Sequence, residues 1–216
     1  MASHICVYMA LRIARLKRFI VATNNKGKLV ELLAILQDLP AELVTLAGAG
    51  LKLDVAETGQ TYAENARLKA EAAAEASGLV SLGDDSGLEV AALDGAPGLF
   101  SARYVGPGAG DAARRSKLLE ALRNVPAPRP ALFRCVLAVA VPGGETRAFE
   151  GTCEGEIIFE ERGQHGFGYD PIFYLPAYQR TMAELPPQLK NQISHRARAT
   201  LAAKAYLERL AGRESL

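Results

Sequence analysis

Two adjacent carboxylates, Asp84 and Asp85, follow a short apolar segment and precede Ser86 and Gly87. Adjacent carboxylates repel, so keeping both ionised requires a nearby cation or hydrogen-bond donors. Mg²⁺ suits such a place because it takes oxygen ligands, usually one or two protein carboxylates together with substrate phosphates. Asp-Asp-Ser-Gly is also a good polar turn, which is the structural alternative. Neighbours on a strand point to opposite faces, so at most one aspartate aims into a cleft unless the strand has ended.

A polar turn that follows the first apolar segment offers groups that bind anions. It comprises Thr23, Asn24, Asn25, Lys26, Gly27 and Lys28. Helix N-termini and compact turns of N–H groups attract anions, and lysines add point charges for phosphate. An ordinary strand-to-helix turn with an asparagine cap has the same composition. The spacing is neither GxxxxGK[ST] nor GxGxxG, so the nucleotide folds with those motifs are not supported.

A third group combines a carboxylate, an amide and an amine. Asn65 and Lys69 are four residues apart on a predicted helix and share one face, and Glu57 precedes that helix. Near a metal ion, these side chains would suit the handling of phosphate. A solvated helix face is the commoner explanation of such a pattern.

Two further segments carry side chains that could recognise a nucleoside. Segment 166–171 interleaves aromatic residues with glycines, and aromatic rings on loops stack on bases, although a hairpin tip looks similar. Ser194 can cap the last predicted helix, so that His195 and Arg196 direct two donors from its first turn. The helix dipole slightly disfavours a basic pair at this end, which favours a functional interpretation.

The elements that must position these groups alternate along the chain. Helices are predicted over 29–36, 61–76, 111–123 and 194–210, and strands over 19–22, 79–82, 133–141, 147–158 and 172–174. The second helix has a capping box, Thr61 with Glu64, and Gly78 ends it. Helices and strands alternate first and hairpin-like strands follow, which predicts an α/β fold with a mixed sheet.

Composition limits the classes of protein to which this chain can belong. The chain has 216 residues, 49% of them hydrophobic, which favours one sizeable domain that folds without covalent staples. Its three cysteines, Cys6, Cys135 and Cys153, have no CxxC spacing, so neither a disulfide scaffold nor a zinc site is expected, and the reducing cytoplasm is the expected compartment. The sequence has no run of eighteen apolar residues, which excludes a membrane span.

Charge is distributed unevenly between the N-terminus and the rest of the chain. Residues 1–18 hold four basic and no acidic residues, which leaves 21 basic and 24 acidic residues elsewhere. A slightly acidic body argues against a protein that binds nucleic acid polymers. The apolar run of the N-terminus precedes its charges, the reverse of a secretory signal. We expect a disordered extension over 1–18 and one domain over 19–212.

Six motifs occur in order along the chain: VATNNKGK at 21–28, ETGQTYAENARLKA at 57–70, GDDSGLEV at 83–90, GAPGLFSARY at 95–104, GFGYDPIF at 166–173 and ISHRARA at 193–199. With these motifs the chain resembles the inosine triphosphate pyrophosphatase family, enzymes that hydrolyse deaminated purine nucleoside triphosphates. The resemblance covers 19–210, nearly all of the chain except the N-terminal extension. The extension is the one clear departure, since similar proteins usually start just before the first strand.

The resemblance implies a fold and an activity. The fold would be an elongated mixed sheet flanked by helices, with two lobes, an active cleft between them, and a homodimeric assembly. The activity would be Mg²⁺-dependent hydrolysis of ITP, dITP or XTP to the monophosphate and pyrophosphate in the cytoplasm. The partner would be a purine nucleoside triphosphate, and neither a nucleic acid polymer nor a membrane.

The resemblance also implies roles for the matching residues. Glu57 and Asp85 would bind Mg²⁺, and Asp85 would also orient or deprotonate the attacking water, whereas the role of Asp84 at the metal stays open. The triphosphate would be held by Thr23, Asn24, Asn25, Lys26, Gly27, Lys28 and Lys69, and Ser86 would contact the substrate. The base and sugar would be surrounded by Phe167, Gly168, Tyr169, Asp170, Lys190, His195 and Arg196.

Selectivity has a physical route in the base. Deamination replaces the 6-amino donor of adenine with a 6-oxo acceptor, so a donor from His195, Arg196 or Lys190 would pair with the deaminated base and meet a second donor in adenine. Each such mismatch costs about 1–3 kcal/mol. Guanine shares the 6-oxo group, so its rejection must come from the 2-position.

The alternatives to this function are an enzyme for pyrimidine or methylated triphosphates, a nucleotide sensor without turnover, and a γ-phosphatase.

Overall fold

A seven-stranded sheet organises the computed structural model, which describes residues 16–212. The strands are β1 (Lys17–Val21), β2 (Ala41–Thr45), β3 (Val80–Val90), β4 (Pro130–Ala140), β5 (Thr146–Ile157), β6 (Phe173–Leu175) and β7 (Arg180–Thr181). The α-helices are α1 (Lys26–Ile35), α2 (Tyr62–Ser77), α3 (Asp111–Ala121), α4 (Pro187–Ile193) and α5 (His195–Gly212). Residues 1–15 of the expected extension lie outside the described residues, but Lys17 and Arg18 belong to β1.

The strands pair in the order β2-β1-β3-β4-β5-β6-β7. β1 runs parallel to β2 and β3, and each later pair is antiparallel. The parallel part is built from strand–helix–strand units. In the antiparallel part, short turns join β4 to β5 and β6 to β7, whereas α3 lies in the connection between β3 and β4. The prediction of an α/β fold with a mixed sheet flanked by helices is confirmed.

The third strand is much longer than its apolar segment predicts. It continues through Asp84, Asp85 and Ser86 to Val90 and pairs with β4 from residue 81 to its end, where Asp84 lies opposite Leu137. The interpretation of Asp-Asp-Ser-Gly as a polar turn is therefore wrong. Because β4 supplies backbone partners and cations from other elements contact the carboxylates, an extended conformation is stable where the local sequence favours a turn.

The two faces of the sheet carry different helices. Val136 and Ala138 of β4 pack with α2, whereas Cys135, Leu137 and Val139 pack with residues of α1 and α5. Leu82 of β3 belongs to the same cluster as α1 and α5. Because side chains alternate along a strand, Asp84 shares the face of Leu82 and Asp85 points to the face of α2.

Local signals predict the second helix well and miss the fourth. Thr61 caps α2 by accepting a hydrogen bond from Glu64 N, and Gly78 ends the helix with a φ of 66°. In a capping box the Glu64 carboxylate would accept a hydrogen bond from Thr61 N. It accepts instead from Gln60 N, the residue before the N-cap. Helix α4 lies in a segment for which no helix was predicted. Pro187 is its first residue, a position that tolerates proline.

The apolar core has two main parts, which meet along β3. Leu82 belongs to the cluster that includes Phe19 and Leu32, whereas Leu88 belongs to the cluster around Phe173. The polar segment of β3 lies between these two residues, so the site residues lie where the two parts of the core meet. Within the described residues, no helix is long and apolar enough to cross a membrane.

Candidate active site

Asp85 lies on the α2 face of the sheet among polar side chains. Asn65 Nδ2 donates to its Oδ2 at 3.1 Å, and Lys69 Nζ lies 3.4 Å from its Oδ1. Lys69 Nζ also lies 2.9 Å from Glu57 Oε1, so two carboxylates share one ammonium. Arg103 Nη1 donates to the other Glu57 oxygen at 2.7 Å. The solvated-face explanation is therefore wrong, since Asn65 is fully buried and both helix residues contact Asp85.

The two carboxylates that share Lys69 have different acidities. Burial raises the pKa of Asp85; the charges of Lys69 and Lys28 lower it and that of Glu57 raises it, and the pKa lies above its ordinary value. Burial also raises the pKa of Glu57, but the charge of Lys69 and hydrogen bonds from Lys69 and Arg103 bring it below its ordinary value. Asp85 is thus the better proton acceptor of the two.

Asp84 lies on the opposite face, against α1 and α5. Its Oδ2 lies 3.1 Å from Lys28 Nζ and 3.2 Å from Arg196 Nε. Burial raises its pKa, but the charges of Lys28, Arg196 and Lys69 outweigh burial and hold the pKa well below its usual range. The two adjacent aspartates therefore have separate principal cation partners, which is how the strand accommodates both.

A second group of buried charges lies beneath the loop that precedes β6. Arg196 is 1% exposed; its Nη1 lies 2.5 Å from Glu31 Oε2, and its Nη2 donates to Ser86 Oγ at 2.9 Å. Lys190 Nζ lies 2.7 Å from Glu31 Oε1 and 2.5 Å from Asp170 Oδ2. Glu31 thus holds both cations in fixed positions, and each still has an N–H group to donate.

The turn before α1 is both a helix cap and part of the site. Asn25 Oδ1 accepts from Lys28 N at 3.1 Å, as the cap explanation requires. Thr23 Oγ1 accepts from Asn25 N at 3.2 Å, and Asn24 Nδ2 donates to Leu53 O at 3.0 Å. These bonds fix the turn at the N-terminus of α1, where backbone N–H groups favour an anion.

The loop that contains the aromatic segment 166–171 lies across the N-terminus of α1 and the buried cations Lys190 and Arg196. The ring centroid of Phe167 is 5.2 Å from Lys190 Nζ and 5.6 Å from Arg196 Cζ. A Cβ at Gly27 would lie 2.4 Å from Cδ1 of this ring, so the contact requires glycine. Asp170 Oδ2 accepts from Phe167 N at 2.8 Å. The loop connects the paired strands β5 and β6, as a hairpin tip does, and still presents its aromatic residue to the site.

His195 is buried at the start of α5 and stacks on Phe133, with ring centroids 4.6 Å apart and an interplanar angle of 13°. Burial and the positive charges of Arg196, Lys190 and Lys28 hold its pKa well below the ordinary value, so the ring is neutral. Its Nδ1 has no hydrogen-bond partner among residues 16–212. A neutral imidazole offers one donor and one acceptor.

These side chains line two adjoining cavities. The polar compartment, of about 440 Å³, is lined by residues that include Thr23, Lys28, Glu57, Lys69, Asp85 and Arg103. The aromatic compartment, of about 540 Å³, is lined by residues that include Gly27, Phe133, Phe167, Tyr169, His195 and Arg196. Asn24, Asn25, Lys28 and Ser86 line both, so the two compartments adjoin.

The structure brings every predicted site residue to one compartment or the other. Two of the residues expected at the triphosphate, Lys26 and Gly27, line the aromatic compartment only. Lys190, Gly168 and Asp170 line it as well.

Sequence reasoning missed several residues that the structure places at the site. Glu31, Arg103, Asp111 and Arg114 contact or line the compartments. A local signal existed for Glu31, which lies one turn after Lys28 on α1 and shares a face with the apolar Ile35. Arg103 lies in the motif at 95–104, but its partner Glu57 is 46 residues away in the sequence.

Comparison with known proteins agrees with this geometry. A family model described as the Ham1 family matches residues 19–206. A dITP/XTP pyrophosphatase of Geobacter sulfurreducens is 49% identical over 191 residues, which cover 88% of this chain and 96% of that protein. A dITP/XTP pyrophosphatase of Desulforamulus reducens is 48% identical over 194 residues, which cover 89% of this chain and 96% of that protein.

Solved structures have the same fold. A HAM1 protein from Coxiella burnetii superposes with a TM-score of 0.81 at 45% identity, covering 90% of this chain and 100% of that one. The Ham1 protein of Staphylococcus aureus superposes with a TM-score of 0.79 at 44% identity and the same coverage. The resemblance derived from the motifs is thereby confirmed. The chain belongs to the Ham1 family.

Proposed function

We propose that this protein hydrolyses deaminated purine nucleoside triphosphates, ITP, dITP and XTP, to the monophosphate and pyrophosphate. The observation that carries the proposal is that two compartments of different chemistry adjoin and share lining residues. One is lined by cations and carboxylates that suit a triphosphate, and the other by aromatic rings and buried donors that suit a purine. The names of the relatives, dITP/XTP pyrophosphatases, support the same substrates.

In the polar compartment, we propose that the triphosphate contacts the turn at the N-terminus of α1 and the ammonium groups of Lys28 and Lys69. Both lysine side chains are mostly buried and are held by carboxylates, Lys28 by Asp84 and Lys69 by Glu57 and Asp85. A triphosphate carries about four negative charges, so a few fixed cations suffice without a basic surface. The slightly acidic body of the chain is consistent with such local neutralisation.

Glu57 and Asp85 fit a magnesium site. Their carboxylates already share one cation, the ammonium of Lys69, at 2.9 and 3.4 Å. Within residues 16–212, no group of three or more histidine, cysteine or acidic side chains could hold a metal alone, so substrate phosphates would complete the coordination, as is usual for Mg²⁺. When bound, Mg²⁺ would stabilise charge on the transferring and leaving oxygens and make the attacking water more acidic.

Asp85 orients the attacking water and accepts its proton in our proposal. The water oxygen forms a bond to the α-phosphorus while the bond from that phosphorus to the bridging oxygen breaks, and pyrophosphate leaves with the bonding electrons. Asn65 fixes one oxygen of Asp85, and burial raises its pKa, which suits a general base. Such chemistry depends on positioning and electrostatics, so no covalent nucleophile is required.

In the aromatic compartment, we propose that the base lies beside Phe167 and that its 6-oxo group accepts a hydrogen bond. Three donors line this compartment: the neutral ring of His195 and the remaining N–H groups of Lys190 and Arg196. Glu31 and Asp170 hold the two cations rigidly, so they cannot rotate away from an adenine 6-amino group. A donor facing a donor leaves buried groups unpaired, which disfavours ATP.

The products of ITP hydrolysis test the proposal. The protein is incubated with ITP and Mg²⁺, and the products are separated by anion-exchange chromatography. IMP and pyrophosphate are expected. IDP and phosphate would indicate a γ-phosphatase, and tight binding without products would indicate a sensor. A panel of dITP, XTP, GTP, UTP and ATP then ranks the substrates. The homodimer and the cytoplasmic location are proposals that rest on the resemblance, and sedimentation equilibrium tests the first.

A further inference from the structure

The loop that lines the aromatic compartment is held from outside by helix α3. Asp111 Oδ2 accepts from Gly168 N at 2.8 Å, and Arg115 Nη1 donates to Gly168 O at 2.9 Å. The backbone N–H and C=O groups of Gly168 are therefore both bound by α3 side chains that are more than fifty positions away in the sequence. Gly168 has a φ of +63°, in the left-handed region that favours glycine.

Each of the two α3 side chains is oriented by a second contact. Arg114 Nη1 lies 2.5 Å from Asp111 Oδ1, and Arg115 Nη2 lies 2.9 Å from Glu161 Oε2. Asp111 is the first residue of α3, where the helix dipole favours a carboxylate. The helix itself buries only Leu118, so its first turns are committed mainly to these polar contacts.

The residues on either side of Gly168 form the wall of the compartment. Phe167 lies against Gly27 and over Lys190, and Asp170 binds both Phe167 N and Lys190 Nζ. A shift of Gly168 therefore moves the aromatic ring and the anion that holds a buried cation. Displacements of about 1 Å in positioning groups are large enough to reduce binding and catalysis strongly.

We infer that Asp111 and Arg115 are positioning residues for base recognition, which act by holding the Gly168 peptide groups. The inference rests on the proposed function and adds to it the element that fixes the base-binding loop. Arg115 is the decisive member of the pair. Asp111 lines the compartment, whereas the lining does not include Arg115, so an effect of Arg115 on the base must pass through the loop.

Binding of IMP and of inorganic triphosphate tests the inference without relying on turnover. Arg115→Met should weaken IMP binding, measured by isothermal titration calorimetry, by about tenfold, because a charge-assisted hydrogen bond to the loop is lost. Inorganic triphosphate lacks a base, and its affinity should change by less than about twofold. In steady-state assays with ITP, KM should rise while kcat changes little.

Conservative and control variants distinguish a positioning role from a general loss of folded structure. Arg115→Lys retains a donor and should restore most of the IMP affinity. Asp111→Asn retains an oxygen that can accept from Gly168 N and should bind IMP better than Asp111→Ala. Glu120→Ala removes an exposed side chain of the same helix and should leave both affinities unchanged.

The outcomes distinguish this inference from the proposed function. Unchanged IMP affinity in Arg115→Met would overturn the inference, and so would an equal loss of affinity for IMP and inorganic triphosphate. Absence of ITP hydrolysis by the unmodified protein would instead overturn the proposed function.

Discussion

Asp84 and Asp85 are consecutive in β3, yet their carboxylates lie on opposite faces of the sheet and contact different cations. Asp84 pairs with Lys28 and Arg196, whereas Asp85 contacts Lys69 at 3.4 Å. Burial raises the pKa of both residues, but the charges of Lys28 and Arg196 bring that of Asp84 below its ordinary value, whereas that of Asp85 stays above it. We therefore expect the two residues to differ in function, Asp85 serving the reaction and Asp84 the structure.

Asp85→Asn should abolish turnover and leave the protein folded. The substitution removes the proton acceptor and one charge of the proposed metal site, so kcat should fall at least about a hundredfold. Burial disfavours the charged form of Asp85, so a neutral amide should cost little stability. Steady-state kinetics with ITP and thermal melting check both statements. A variant that keeps more than about a tenth of the wild-type kcat would contradict the base role.

Asp84→Asn should lower stability. It removes the negative charge that pairs with Lys28 and Arg196. Removing one partner of a buried ion pair leaves the other charge uncompensated and costs about 3 kcal/mol or more. The free energy of unfolding is measured by urea denaturation. Glu42→Gln is the control, because Glu42 pairs with Arg18 at the exposed edge of the sheet and should change the free energy by no more than about 0.5 kcal/mol. Equal decreases in the free energy of unfolding in the two variants would contradict the structural role of Asp84.

His195→Ala should reduce discrimination between ITP and ATP. The neutral ring can donate to a 6-oxo group, which ATP lacks, so kcat/KM should fall about tenfold for ITP and little for ATP. This variant is a cleaner test than Arg196→Ala, because Arg196 also balances Glu31 and Asp84.

Thr23→Ala is the matched control for His195→Ala. Thr23 lines the polar compartment only, so its loss should affect both substrates in the same proportion. A proportional loss for both substrates in His195→Ala would assign base selection to another group.

His195 should also make the protein less stable as the pH falls. Burial holds its pKa in the folded state well below 6.5, so below pH 6.5 the unfolded chain binds a proton that the folded chain does not. The free energy of unfolding should therefore decrease by about 1.4 kcal/mol at pH 5.5 from this group alone. His195→Gln should lose this part of the difference between pH 7.5 and pH 5.5 in urea denaturation. An unchanged difference would mean that the folded imidazole is charged.

Local patterns predicted much of the fold. Thr61 and Gly78 delimit α2, because capping and the left-handed turn involve hydrogen bonds between residues a few positions apart. The long apolar run of β4 indicated a well-buried strand, and ten of its eleven residues are not exposed. The family resemblance named the predicted site residues, and the structure places all of them around one pair of cavities.

The environment of each charged side chain was not predictable in the same way. The sequence indicated that His195 and Arg196 begin a helix, but it did not show that both are buried. Arg196 forms an ion pair with Glu31, which is 165 positions away in the sequence. The aspartates of β3 follow a turn-like pattern and still form a strand, because β4 pairs with them throughout.

The sequence by itself determined the class of fold, the caps of α2, the family and the residues that could do the chemistry. Only the tertiary structure decided which aspartate faces Lys69, that Glu31 binds both Lys190 and Arg196, and that α3 holds the loop at Gly168. The physical reason is that capping and periodicity depend on neighbours within a few residues, whereas burial, ion pairing and pKa depend on side chains that folding brings together from distant segments.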